Sequence, residues 1–132
     1  MPSLHCIVVT PEATVRDTPA EFVALTLFDG EIGIAPGHTP LIGRLGCGEM
    51  RITQGDQTDR YYVEGGFVEV ADNVVSVLTN RAAPAALLDE AVAREQLAAA
   101  QARPAHTPEL MAIRDRAVTA SRAQLHVARR AK

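Results

Sequence analysis

Up to about residue 80, apolar positions come in short runs separated by turn chemistry. Residues 4–10 and 21–28 are β-branched and apolar at successive positions, the pattern of strands buried on two sides. Residues 49–54 and 59–63 flank Gly55-Asp56, and residues 67–70 and 74–79 flank Asp72-Asn73. Asp29-Gly30, between Phe28 and Glu31, predicts a two-residue hairpin, because a type I′ turn needs positive φ at both central positions. Gly46 and Gly48 flank Cys47 at another predicted bend. Short strands at this spacing predict a β-sandwich or flattened barrel. Pro36 and Pro40 have no backbone donor, so residues 35–40 are expected to form an exposed connection or an edge.

The pattern then changes. All nine glycines lie between Gly30 and Gly66, whereas 17 of the 51 residues from Ala82 onward are alanine. Residues 85–102 hold Ala, Leu, Glu, Gln and Arg without a breaker, and Glu90 and Arg94 have the favourable i,i+4 order. Residues 103–106 end this helix. Thr107 reads as an N-cap, with Pro108 at the first helical position and Glu109 near the positive end. The second helix is predicted over residues 108–129. Its larger apolar residues, Leu110, Ile113, Ala117, Val118, Leu125 and Val127, are sparse, and the first helix offers Leu87, Leu88, Ala91, Val92 and Leu97. Alanine on the facing sides allows close approach as a hairpin. So little bulky surface leaves an isolated pair marginal, so it must lean on the sandwich or on another protein. The expected organisation is a β-sandwich over residues 1–84 and a helical hairpin over residues 85–132.

Charge follows the same boundary. Residues 1–84 carry 5 basic and 11 acidic side chains (−6), and residues 85–132 carry 8 and 5 (+3), which sums to the net −3. The acidic balance, the absence of Trp and only 4% aromatic residues argue against a nucleic-acid binder, which needs basic grooves and stacking platforms. Mean hydropathy is +0.02 and no apolar run approaches the ~20 residues of a membrane span. The start of the chain has no basic or apolar signal pattern, so no secretory leader is expected. Cys6 and Cys47 are too few for a disulfide framework.

Candidate chemistry is thin. No nucleophile elbow, Walker loop or GxGxxG loop is present. His38 has Asp29, Glu31 and Thr39 near it in sequence, which leaves a small hydrolase open as one reading; a surface histidine that bonds locally or meets a partner is the other. His5 and Cys6 are adjacent on a strand and point to opposite faces, so they do not share a metal ion with Cys47 and His38 easily. Arg114, Arg116, Arg122, Arg129 and Arg130 form either a solvated helix face or a basic strip for an acidic partner. A sandwich that binds a small ligand is a further alternative, and it requires a concave apolar pocket.

One stretch is specific. Asp29-Gly30-Glu31-Ile32-Gly33-Ile34-Ala35-Pro36-Gly37-His38-Thr39-Pro40-Leu41 resembles the signature of the epsilon subunit of F-type ATP synthase, called delta in mitochondria. The resemblance continues through Gly48-Glu49-Met50-Arg51-Ile52, Val63-Glu64-Gly65-Gly66-Phe67-Val68-Glu69-Val70 and Asn73-Val74-Val75-Ser76-Val77-Leu78. Leu4-His5-Cys6-Ile7-Val8-Val9-Thr10-Pro11-Glu12 and the ending Leu125-His126-Val127-Ala128 are also similar to the family.

The resemblance implies a ten-stranded β-sandwich followed by an antiparallel helical hairpin. It implies a non-catalytic part of the central stalk that couples c-ring rotation to the catalytic head, as a peripheral protein at the cytoplasmic face of the bacterial inner membrane. Its implied partners are the gamma subunit, the c-ring and the alpha/beta head, with no nucleic acid. Asp29 and Glu31 match the c-ring contact, and Thr10, His38 and Leu41 match the gamma contact. The hairpin is expected to restrain ATP hydrolysis, with Arg114, Arg116 and Arg122 facing the head. Some relatives bind ATP through an Ile/Leu-Asp pair followed by Arg-Ala. Leu88-Asp89 matches the start, but Val92 occupies the arginine position, so no cofactor is expected and ATP binding should be weak or absent.

Overall fold

The computed structural model describes residues 3–130; Met1, Pro2, Ala131 and Lys132 lie outside the described residues. Ten strands precede two helices: β1 (Leu4–Val9), β2 (Thr14–Ala20), β3 (Phe22–Leu27), β4 (Gly30–Ile34), β5 (Leu41–Arg44), β6 (Cys47–Gln54), β7 (Gln57–Glu64), β8 (Phe67–Ala71), β9 (Val74–Leu78), β10 (Ala82–Pro84), α1 (Glu90–Gln101) and α2 (Pro108–Arg130). The strands form two five-stranded sheets, ordered β2-β1-β9-β8-β5 (the first sheet) and β10-β7-β6-β3-β4 (the second sheet). The expected sandwich and hairpin are both present. Leu4, Cys6, Val8, Val68, Val70, Val75 and Val77 of the first sheet pack on Val23, Leu25, Met50, Ile52, Tyr61 and Val63 of the second. Their alternation places every second residue between the layers.

The two-sided burial expected of residues 4–10 is not what forms. Leu4, Cys6 and Val8 are buried, while His5 is exposed and Ile7 and Val9 are half-buried. One face of β1 therefore meets the core and the other meets solvent. Strand β2 was not legible: Thr14–Ala20 has little apolar character and contains Pro19. It forms at the sheet edge, where a missing donor is tolerated.

The turns also differ in detail. Leu27 pairs with Gly30, so Phe28 and Asp29 make the tip of the β3–β4 hairpin. Asp29 is not left-handed, and the expected type I′ turn lies elsewhere, at Asp72 (φ 51) and Asn73 (φ 63). Gly48 lies within β6 opposite Val63 rather than at a bend, and its lack of a side chain makes room for Thr26, whose Oγ1 would sit 2.6 Å from a Cβ there.

The first helix begins later than its composition suggests. Ala85–Leu87 forms a 3-10 turn, and Asp89 accepts from Ala91 N at 2.8 Å and Val92 N at 3.3 Å as the N-cap of α1. Thr107 caps α2 as expected, through Leu110 N at 3.1 Å. Ala93 and Ala100, two turns apart, are the buried residues of α1. The bulky residues are less buried than expected, since Leu87, Val92 and Ile113 are exposed. The second half of α2 lies on the outer face of the second sheet, where Val127 and Ala128 join Tyr62, Ala85 and Leu88 in a separate apolar cluster.

Candidate docking surfaces

The two outer faces of the sandwich have different fates. The hairpin covers that of the second sheet over β6 and β7, leaving Phe22 of β3 exposed. That of the first sheet is open, and its register makes it apolar. Val9 pairs with Leu78, Leu78 with Phe67, and Phe67 with Arg44, so these four share a face. Ile7, Ser76, Glu69 and Ile42 form the next row. Leu78 is 54% exposed, Phe67 58% and Ile42 76%. Phe28, 71% exposed at the hairpin tip, extends the strip, with the Arg44 guanidinium stacked 4.9 Å from its ring centroid. Large side chains open to water in one continuous strip mark an interaction surface. None of these four was singled out from sequence. The available signal was the double-sided apolar pattern of β1 and β9, which implies a second covering that the chain itself does not supply.

The sequence-predicted contact residues do not converge on one point. Asp29 and Glu31 are exposed at the β3–β4 hairpin. That tip is tied to the β5–β6 link by Phe28 N donating to Arg44 O at 2.8 Å and Gly46 N to Thr26 O at 3.0 Å. Thr10 follows β1 at the same end of the sandwich, beside β9, where Thr79 N donates to Val9 O at 3.0 Å. It is nearly buried and its hydroxyl donates to Ala13 O. His38 lies at the opposite end. Its loop is anchored by Gly37 N donating to Asn73 Oδ1 at 2.7 Å, and Asn73 O accepts from His5 N at the start of β1. Thr10 and His38 are thus separated by roughly 15–20 Å, the length of β1. Leu41 is half-buried against the core.

The His38 ring bonds to Thr39 O at 2.7 Å, and among the described residues no carboxylate bonds to it. The catalytic His–carboxylate arrangement left open by the sequence does not form. His5 is on the open face and pairs with Asp17, whereas Cys6 is in the core, and burial pushes its thiol up to about 12.

The junction of sandwich and hairpin is polar at its centre. Tyr62 is fully buried and its hydroxyl lies 2.8 Å from Glu64 Oε1 and 3.1 Å from Ala120 O of α2. Burial first, and the bond to Glu64 second, push this phenol far above its ordinary value. Arg81 lies over the Tyr62 ring and donates to Gln124 Oε1 at 3.0 Å. Burial, and then Glu64, also raise the Cys47 thiol. Beside this junction a cleft of about 960 Å³ opens between the hairpin and the end of the sandwich, bordered by Arg44, Arg81, Arg103 and Arg116. The space between the two sheets is filled by the core, so this cleft is the concave surface that the small-ligand alternative would use.

Residues 3–85 match the family model described as ATP synthase, Delta/Epsilon chain, beta-sandwich domain. Over 127 residues the chain is 50% identical to the ATP synthase epsilon chain of Rhodopirellula baltica, covering 96% of this chain and 99% of that one. This chain belongs to the ATP synthase epsilon-chain family. The epsilon chain of Rubrobacter xylanophilus is 35% identical over 106 residues, covering 80% of this chain and 73% of that one. Two solved assemblies share the fold. One is the Euglena gracilis mitochondrial ATP synthase with OSCP, F1 and c-ring (TM-score 0.84, 20% identity, 93% of this chain and 79% of that one). The other is the Tetrahymena thermophila mitochondrial ATP synthase central stalk and c-ring (TM-score 0.72, 13% identity, 95% and 96%). This epsilon-family chain has no described helix long and apolar enough to cross a membrane.

The epsilon hairpin distributes its predicted residues unevenly. Arg116 and Arg122 are exposed, while Arg114 is half-buried and lies 3.4 Å from Asp115. Asp89 is engaged as the α1 cap, Val92 is exposed at the position where the guanidinium would stand, and Arg94 is paired with Glu90 at 2.8 Å.

Proposed function

We propose that this chain is a non-catalytic rotor part that couples c-ring rotation to the catalytic head of an ATP synthase and restrains ATP hydrolysis through its hairpin. The observation that carries this reading is the contrast between the two outer faces. The chain covers much of one itself and leaves the other open with an apolar strip, which suits a large, slip-resistant contact with the gamma subunit. The strip lies at the Thr10 end of the first sheet and the His38 loop is anchored at the other end of that sheet, so the two contact positions fit the ends of one extended face rather than a point contact. Leu41, half-buried against the core, starts β5 just after the His38 loop. Asp29 and Glu31 stand on a braced tip at one end, suited to the polar loops of the c-ring. The protein then works peripherally, at the cytoplasmic face of a bacterial inner membrane, in a proton- or sodium-driven machine.

The brake assignment rests on the thin packing of the hairpin. The first half of α2 has no buried residue and exposes Met111 and Ile113, so docked and extended states are close in free energy. Arg116 and Arg122, with Arg114 behind them, then meet acidic segments of the alpha/beta head. Tight ATP binding at Asp89 is not part of this function, because that carboxylate is already a cap and no guanidinium stands at residue 92. The test is deletion of residues 85–132 in the assembled complex. ATP hydrolysis should rise while gamma still co-purifies. Unchanged hydrolysis refutes the brake, and loss of gamma binding refutes the assignment of docking to the sandwich.

A further inference from the structure

Glu49 is the least expected residue of the sandwich–hairpin junction. It lies on the outer face of β6 beneath α2 and is 5% exposed. Three arginines surround its carboxylate. Arg51 donates to Oε1 at 2.9 Å, Arg60 lies 3.9 Å from Oε2, and Arg130 lies 3.9 Å from Oε1. Oε2 is buried without a hydrogen-bond partner among the described residues. Arg51 and Arg60 belong to the second sheet, whereas Arg130 is in the last turn of α2. Its neighbour Arg129 turns to Glu90 of α1 at 3.2 Å. Consecutive arginines therefore do different jobs: Arg129 closes the hairpin on itself, and Arg130 ties it to the sandwich.

We propose that Glu49 is the positioning residue that holds the hairpin in its docked place, acting through Arg130. This rests on the reading that the hairpin undocks. Without Glu49, Arg130 would approach a surface already carrying Arg51 and Arg60, and the contact would turn from attractive to repulsive. With Glu49 present, the arriving cation meets a carboxylate whose Oε1, shared with Arg51, lies 3.9 Å from the Arg130 guanidinium. Glu49 is buried but Arg130 is 45% exposed, so the pair remains open to salt screening. Arg130 also sits at the negative end of the α2 macrodipole, which favours its charge there in either state. Its contact with Glu49 is what distinguishes the docked one.

The test uses the full chain with Cys47→Ser and spin labels on Asp56→Cys and His126→Cys, two exposed sites outside the cluster. Distance distributions give the undocked-to-docked ratio. Arg130→Gln and Glu49→Gln are each expected to raise that ratio about 2- to 5-fold, since Arg130 is half exposed. The double variant should match Arg130→Gln and stay at or below Glu49→Gln rather than reach the product of the two, because removing Arg130 removes both the attraction and the repulsion. Arg51→Gln removes a competing cation from the same carboxylate and should leave the ratio unchanged or lower it. A merely structural role for Glu49 predicts loosening in Arg51→Gln and multiplicative effects in the double variant; either result overturns the proposal. Raising salt to 0.5 M should shrink the effect of Arg130→Gln to about 2-fold or less. Arg130→Glu separates this failure from that of the brake: a single docked distance there and in every variant shows that the hairpin does not undock at all. An undocked population that ignores residues 49 and 130 refutes the latch alone.

Discussion

Phe67 offers the sharpest test of the open face. Its ring stands on the outer face of β8 between Leu78 and Arg44, with 58% of the residue exposed. An aromatic residue buries about 150–250 Å² when fully covered, so about 90–145 Å² here remains for a partner. At about 25 cal/mol per Å² this amounts to roughly 2–3.5 kcal/mol, an upper bound because association also costs ordering and desolvation. Phe67→Ala should therefore weaken binding to the gamma subunit by at least about 1 kcal/mol, or five-fold or more. Folding should hardly change, since the ring makes no contribution to the core; a shift within about 1 kcal/mol is expected from lost cross-strand pairing. The assay is calorimetric titration of the purified gamma subunit with the full chain, alongside thermal unfolding of wild type and variant. Leu78→Ala should weaken binding in the same direction. Unchanged affinity in both variants, with the fold intact, refutes the placement of the gamma contact on this sheet.

Gly66→Ala should prevent folding or cost more than about 4 kcal/mol in denaturant unfolding, because φ is +101 and a Cβ would lie 1.9 Å from Leu78 O. Alkali should destabilise the chain in a defined window. The Cys6 thiol titrates near 9 unfolded and about 12 folded, so its contribution is fully present below pH 9 and is lost as pH rises to about 12. Urea midpoints should fall across that window, and Cys6→Ala should flatten the fall by up to about 1.4 kcal/mol per pH unit. Asp89→Ala removes the α1 cap and should lower the stability of the hairpin by about 1 kcal/mol, read by hydrogen exchange in α1, while exchange in the sandwich core stays the same.

Much of the fold is local and could be read in order along the chain. The strand runs, the Asp72-Asn73 turn, the Thr107 cap and the switch to alanine each report short-range chemistry. So do the signature residues 29–41, whose spacing carries the family. Strand β2 escaped because an edge strand needs little apolar character, and its pairing with β1 is what makes it a strand at all. The start of α1 was misjudged because composition across residues 85–89 is helical, and only the Asp89 side chain selects where the helix begins.

The sites divide in the same way. The sequence placed Asp29 at a hairpin turn and His38 in an exposed connection but left a hydrolase built on His38 with Asp29 or Glu31 open; tertiary structure bonds the His38 ring to Thr39 O instead. Tertiary structure decided which faces are covered. The apolar residues of β1 and β9 have the same chemistry on both sides, and only sheet packing determines that Cys6 and Val8 turn inward while Val9 and Leu78 stay open. The Glu49 cluster likewise gathers residues from positions 49, 51, 60 and 130. No local pattern encodes that meeting, because it arises where α2 crosses β6, and burial turns an ordinary surface carboxylate into one that needs its arginines.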